Sequence, residues 1–214
     1  MAAARRSPDQ AVDYLARFDR GAPVEVFIGP PEIGGRFFYR DNMRGFNFER
    51  QKGPFGQVVR RINQFAYAPG APSIYVGAAP VAEVMPGFAS ANAMDLVDNP
   101  WLVPRKWIGT KTIVSTHFDE SDSIACVAAG RRRFTLFPPD QVANLYVGPL
   151  DVTMAGQPAS MVDLRNPDFE RYPRFRQAIA AAHLAPEHRS ILGEPTPILR
   201  DRIKQFLLRA ISRH

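Results

Sequence analysis

The residues most able to do chemistry in this chain are His117 and Asp119, separated by Phe118. An imidazole and a carboxylate at positions i and i+2 point to the same side of an extended strand, within reach of one ion. A borderline divalent ion such as Fe(II) accepts one nitrogen and one oxygen donor in this way. It keeps open positions for exchangeable ligands when a second histidine completes a facial triad. A His-x-Asp tripeptide also arises by chance, and the alternative is a surface histidine beside the acidic residues Glu120 and Asp122. The only other histidines are His183, His188 and His214. The single cysteine, Cys126, rules out an internal disulfide. It sits in the apolar run Ile124–Ala129, which reads as buried filler rather than a nucleophile.

The surrounding sequence must position that pair. Ile108 to His117 interleaves β-branched residues with Thr110, Thr112 and Thr116 and predicts a strand ending on His117. Ile124–Ala129, Gly130-Arg131 and Arg132–Phe137 read as a hairpin closed by Pro138-Pro139. Upstream, Val24–Ile28 and Ser73–Gly77 read as strands, and Phe37–Arg40 as a further one. Residues 58–67 read as a helix on Val58, Val59, Ile62 and Phe65. Ser7-Pro8-Asp9 opens an N-capped amphipathic helix with proline in its first turn. Thr196-Pro197 opens another, with Leu199, Ile203, Phe206, Leu207, Ala210 and Ile211 on one side and Arg200, Arg202, Lys204, Arg209 and Arg213 on the other. This C-terminal helix packs on its own domain or on a second copy as a homodimer. Twenty prolines suit many short elements.

Bulk properties bound the answer. The 214 residues, 45% of them hydrophobic, suffice for one domain with a sizeable core. Twenty-seven basic and 21 acidic residues give +6, but the longest like-charge run is Arg131-Arg132-Arg133. A solvated basic surface is therefore expected rather than a nucleic-acid partner. No stretch approaches about 18 apolar residues and no signal core follows Met1–Arg6, so no membrane association and a cytoplasmic location are expected.

The stretch Thr116–Ile124, then Gly130–Gln141 with its Phe137-Pro138-Pro139 exit, Asn144-Leu145-Tyr146 and Asn166–Phe175, resembles the cupin-like branch of the JmjC family. That branch includes the asparaginyl hydroxylase of hypoxia-inducible factor and bacterial relatives. The likeness is strong from about 105 to 178 and looser from about 20 to 104. It implies a mainly β fold with flanking helices: a double-stranded β-helix, or jelly-roll. The chain would be one domain over 1–214, with an N-terminal region to about 70, a barrel core over about 71–178 and a helical tail over about 183–214. The implied activity is an Fe(II)/2-oxoglutarate-dependent oxygenase that hydroxylates a protein side chain or a small molecule. His117 and Asp119 match the first two metal ligands. Arg132, fifteen positions after the histidine, matches the basic residue that anchors the 2-oxoglutarate carboxylate. Lysine is common there in the family, and arginine grips a carboxylate bidentately. Tyr75 matches a tyrosine that reaches the same carboxylate, with a core aromatic as the alternative. Ser123 lies at a polar co-substrate contact. The family threonine three residues before the histidine is Val114 here, with Ser115 or Thr116 as imperfect substitutes.

Relatives deliver their third ligand from a strand of the type Ile-Pro-x-x-Trp-x-His. Here the chain passes from Gln177–Ala182 directly to His183–Arg189, which implies an incomplete barrel lacking strands between about Ala178 and His183. His183 and His188 are the internal candidates for a replacement ligand. The competing functional reading is a catalytically inactive cupin-like scaffold or dimerisation module.

Overall fold

The computed structural model describes residues 7–93, 101, 103–119, 125–184 and 188–189. The chain divides into two compact units, Met1–Val114 and Ser115–His214. The expected C-terminal helix over 196–211 lies outside the described residues, as does Ser123.

The first unit is a four-stranded antiparallel sheet in the order β2-β1-β3-β4, where β1 is Pro23–Gly29, β2 Glu49–Pro54, β3 Ser73–Pro80 and β4 Arg105–Gly109. Helices α1 (Pro8–Ala16) and α2 (Phe55–Phe65) belong to this unit. Ser7 caps α1 as expected, its Oγ accepting from Gln10 N at 3.2 Å, which satisfies one of the orphan donors of the first turn. Alternation along β1 and β3 gives the sheet two different faces. Val24, Val26, Ile74 and Val76 share a core with Tyr14, Phe55, Val58, Val59 and Ile62. Phe27 and Tyr75, directly opposed across the ladder, belong instead to an aromatic cluster with Phe37 and Phe48. Two short helices, α3 (Val81–Val84) and α4 (Phe88–Ala91), follow β3 and close the core with Met85 and Phe88.

Two strands depart from the sequence expectation. Among the described residues Phe37–Arg40 forms no strand: Tyr39 makes an isolated bridge to Phe46, and the preceding Arg36 makes one to Ile113. The run Ile108–His117 ends its ladder at Gly109 because Thr110 takes over the backbone of Ile74: its N–H donates to Ile74 O, and its Oγ1 accepts from Ile74 N, each at 3.0 Å.

The second unit is built largely from turns around a small core of Val162, Phe175 and Ala178, ringed by Phe137, Leu145, Tyr146, Leu164, Phe169 and Tyr172. Helix α5 (Phe175–Ala181) supplies two of the buried residues. The expected 124–137 hairpin does not form among the described residues, since 125–128 join no ladder. Instead β5 (Arg131–Arg132) pairs with β8 (His188–Arg189), and β6 (Thr135–Leu136) pairs with β7 (His183–Leu184), all antiparallel. The chain thus returns after α5 to lie beside the arginine-bearing segment. Antiparallel sheet with accompanying helices fits a jelly-roll.

Candidate metal centre

The backbone around His117 is held by a local lattice of single bridges rather than by a full strand. His117 bridges Ala159, and Val147 bridges Ser160, both antiparallel. Ser160 N donates to Thr116 O at 2.7 Å, Met161 N to Tyr146 O and Gly148 N to Ala159 O, each at 2.9 Å. Gly148 suits this close approach: a Cβ there would meet Ala159 O at 3.1 Å and would have to displace the flexible Met161 side chain, whose Sδ lies 2.7 Å away. The Ser160 hydroxyl donates to Leu145 O and accepts from Val162 N, which ties the lattice to the core of the unit. Sequence reading missed 146–148 and 159–161 as supports, because isolated bridges leave no periodic trace.

On this support the His117 ring is fixed through its own chain. Its Nδ1 lies 2.8 Å from Ser115 O, so the neutral ring carries its proton on Nδ1 and donates it to that carbonyl. The lone pair on Nε2 is then left exposed 3.7 Å from Asp119 Oδ1. A carbonyl that fixes the tautomer of a ligating histidine is the usual second partner of such ligands. Two donors each about 2.1 Å from one ion lie about 3 Å apart at a right angle and about 4.2 Å apart when opposed. The separation found falls between these limits, so the pair fits one divalent ion. Side-chain exposures of 32% for His117 and 48% for Asp119 leave the position open to exchangeable ligands.

The other expected residues fall as follows. Arg132 lays its guanidinium 5.2 Å from the centroid of the Phe134 ring and pairs with no carboxylate among the described residues. In the backbone register it stands opposite His188, while His183 stands opposite Leu136. Thr116 is half-buried and contributes its carbonyl to the lattice. Tyr75 lies in the first unit, its ring centroid 6.0 Å from Phe37 and 6.3 Å from Phe27, as a member of the aromatic cluster. Among the described residues no group of three His, Cys, Asp or Glu side chains stands ready for a metal. Cys126 corrects an expectation: it is exposed, because the segment that would have buried it forms no strand. Partial burial still pushes its thiol above the ordinary value, which disfavours the nucleophilic thiolate. Beside the His117–Asp119 pair, Ser115 is buried, and its Oγ has no hydrogen-bond partner among the described residues.

The cupin-like domain family model matches residues 1–186. The chain belongs to the cupin-like family. The match spans both compact units, and its homologues are JmjC-type proteins. The chain is 36% identical over 63 residues to tRNA wybutosine-synthesizing protein 5 of Gallus gallus, covering 29% of this chain and 18% of that protein. It is 34% identical over 65 residues to a lysine-specific demethylase of Arabidopsis thaliana, covering 30% and 12%. It is 35% identical over 71 residues to JmjC domain-containing protein D of Dictyostelium discoideum, covering 33% and 15%. The matched stretches thus span less than a fifth of these relatives. No helix of the described residues is long and apolar enough to cross a membrane.

Proposed function

We propose that this cupin-like chain is an Fe(II)/2-oxoglutarate-dependent oxygenase that hydroxylates a protein side chain or a small molecule. The observation that carries the reading is the His117–Asp119 pair, two acceptors 3.7 Å apart whose histidine tautomer is set by a backbone carbonyl. Bare acceptors at that spacing repel one another until a cation lies between them. His117 Nε2 and an Asp119 carboxylate oxygen would hold the iron, and the Arg132 guanidinium would take the distal carboxylate of 2-oxoglutarate. When bound, iron and 2-oxoglutarate supply the activation of dioxygen; the protein binds, orients and shields them. His183 or His188, returned by β7 and β8 beside the Arg132 segment, is the candidate for the third ligand.

A second reading is supported by the absence of a three-residue ligand group among the described residues: a cupin-like scaffold that keeps part of the pocket without turnover. One experiment separates the two. Anaerobic addition of Fe(II) and then 2-oxoglutarate to the full chain is expected to give the visible charge-transfer band of the chelate, and His117→Ala to abolish it. No band in the wild-type chain, with metal content unchanged by His117→Ala, leaves the scaffold reading.

A further inference from the structure

We propose that Arg171, Arg174 and Arg176 form a docking surface for the phosphodiester backbone of a nucleic acid. It goes beyond the oxygenase reading and is independent of it. The three arginines fall in one short segment of the second unit, at the start of α5, and all are exposed. Each guanidinium lies over an aromatic ring. Arg171 stands 5.3 Å from the centroid of Tyr172, Arg174 5.1 Å from that of Tyr146, and Arg176 4.2 Å from that of Phe169.

The rings are fixed platforms. Tyr146, Phe169 and Tyr172 are partly buried against the core of Val162, Phe175 and Ala178. Tyr146 and Tyr172 meet edge to face at 5.0 Å, and the Tyr146 hydroxyl accepts from Arg174 N at 3.0 Å. Tyr146 also holds a φ of +51°, a left-handed conformation that a bulky residue rarely adopts. A cation over an aromatic face is held without spending its N–H donors, which lie in the guanidinium plane. Part of the side-chain entropy that a long arginine loses on gripping an anion is therefore lost before the partner arrives.

Composition suits a solvated basic surface, yet a solvated arginine needs no ring beneath it. Arg165, close by in sequence, shows the other habit: its guanidinium is forked onto Asp163, at 3.0 and 3.3 Å. The ring-held set is net basic. Its acidic neighbours are Glu170 and Asp168, and Asp168 Oδ1 accepts from Glu170 N and Arg171 N at 3.1 and 2.9 Å. Guanidinium forks match the oxygens of phosphate bidentately. Three cations over three different rings make separate contacts, which suits a chain of phosphates better than one phosphoryl group. The +6 charge of the chain favours the same partner. No long basic run betrays the surface in the sequence, because Tyr172 and Phe175 interrupt the arginines.

The test titrates the full chain against a labelled oligouridylate and a labelled DNA duplex, read by fluorescence anisotropy over a range of salt. Binding is expected at low salt, with the logarithm of the affinity falling linearly against the logarithm of salt. The combined substitution Arg171→Gln, Arg174→Gln and Arg176→Gln is expected to weaken binding about tenfold or more. It is also expected to reduce the slope on the oligouridylate by about 2, roughly 0.7 for each phosphate contact removed. Lysine at the same three positions keeps the charges and is expected to keep the slope. Far-UV circular dichroism of both variants is expected to match wild type. Binding of either nucleic acid with this loss of slope supports the proposal, and the tighter of the two identifies the partner. No binding of either at low salt overturns it, as does a slope that the glutamine variant leaves unchanged. A lysine variant that loses the slope equally overturns it in favour of a structural role. Tighter binding of a phosphoserine peptide than of either nucleic acid overturns it in favour of a protein partner. Nucleic-acid binding by a chain that gives no charge-transfer band leaves this proposal standing without the oxygenase reading.

Discussion

The two compact units divide the work unequally. The first concentrates its stability: one sheet carries an aliphatic face buried with the helices and an aromatic face centred on Phe27 and Tyr75. Phe55, Ile74 and Met85 there are wholly buried. The second holds the candidate metal donors on backbone supported by single bridges, with a fully buried core of three residues. Continuous ladders and alternating apolar positions specify one packing strongly. Isolated bridges leave side chains half in water, and an exchangeable ligand needs that access. Stability and chemistry are therefore expected to respond to different residues.

The sharpest way to break this comparison is to empty each core in turn. Phe55→Ala removes a wholly buried ring from the middle of the larger cluster and is expected to cost about 3–5 kcal/mol in urea unfolding. Phe175→Ala removes an equally buried ring, but one surrounded mostly by partly buried neighbours that can close on the space. A cost of about 3 kcal/mol, the low end of the same range, is expected. If Phe175→Ala proves the more damaging, the second unit is the better packed and the comparison fails.

A smaller effect tests the helical edge of the first unit. The Ser7 hydroxyl satisfies one N–H of α1, so Ser7→Ala is expected to cost about 1 kcal/mol, while Ser7→Asp is expected to hold the wild-type value. A Ser7→Ala cost indistinguishable from zero would show that α1 is held by its packing alone.

Lys106 sharpens the contrast through pH. Burial lowers its pKa below the ordinary lysine value, and its Nζ lies 4.7 Å from the centroid of the Phe88 ring. A lysine whose folded pKa is depressed releases its proton at lower pH when folded than when unfolded. The unfolded state then binds more protons, so stability rises as pH climbs from the folded value to the unfolded one. Below that window both states are charged, and the full burial penalty remains. Lys106→Met is expected to flatten this alkaline rise in melting temperature; a slope as steep as wild type would mean that another group is responsible.

Much of the first unit could be read from the chain, because its strands alternate or are β-branched and α1 has a capped start. β2 could not: Glu49-Arg50-Gln51-Lys52 is a polar edge, where charges discourage pairing with other chains and leave no apolar pattern. In the candidate site, the His117–Asp119 spacing was enough to bring the two donors together. The orphan state of Ser115 was not readable, since it depends on what surrounds a side chain in three dimensions. The 124–137 hairpin was read wrongly because Arg131-Arg132 and Thr135-Leu136 find their partners in His188-Arg189 and His183-Leu184, far along the chain, and local propensity carries no information about so distant a pairing.

The smallest expected effect on stability belongs to the residue with the largest expected effect on chemistry. The His117 side chain is 32% exposed, and among the described residues its one close polar contact besides Asp119 is to a carbonyl two residues away, a local bond that orders few other groups. His117→Ala is therefore expected to change unfolding free energy by no more than about 0.5 kcal/mol, the ordinary range for surface positions. Asp119→Ala is expected to behave alike, and on that exposed pair to be indifferent to moderate salt when no metal is present. Both variants are nevertheless expected to lose Fe(II) binding outright, measured by equilibrium dialysis under anaerobic conditions. A His117→Ala cost above about 2 kcal/mol without metal would show that the ring is a structural strut of the second unit, and would join the two roles that the comparison keeps apart.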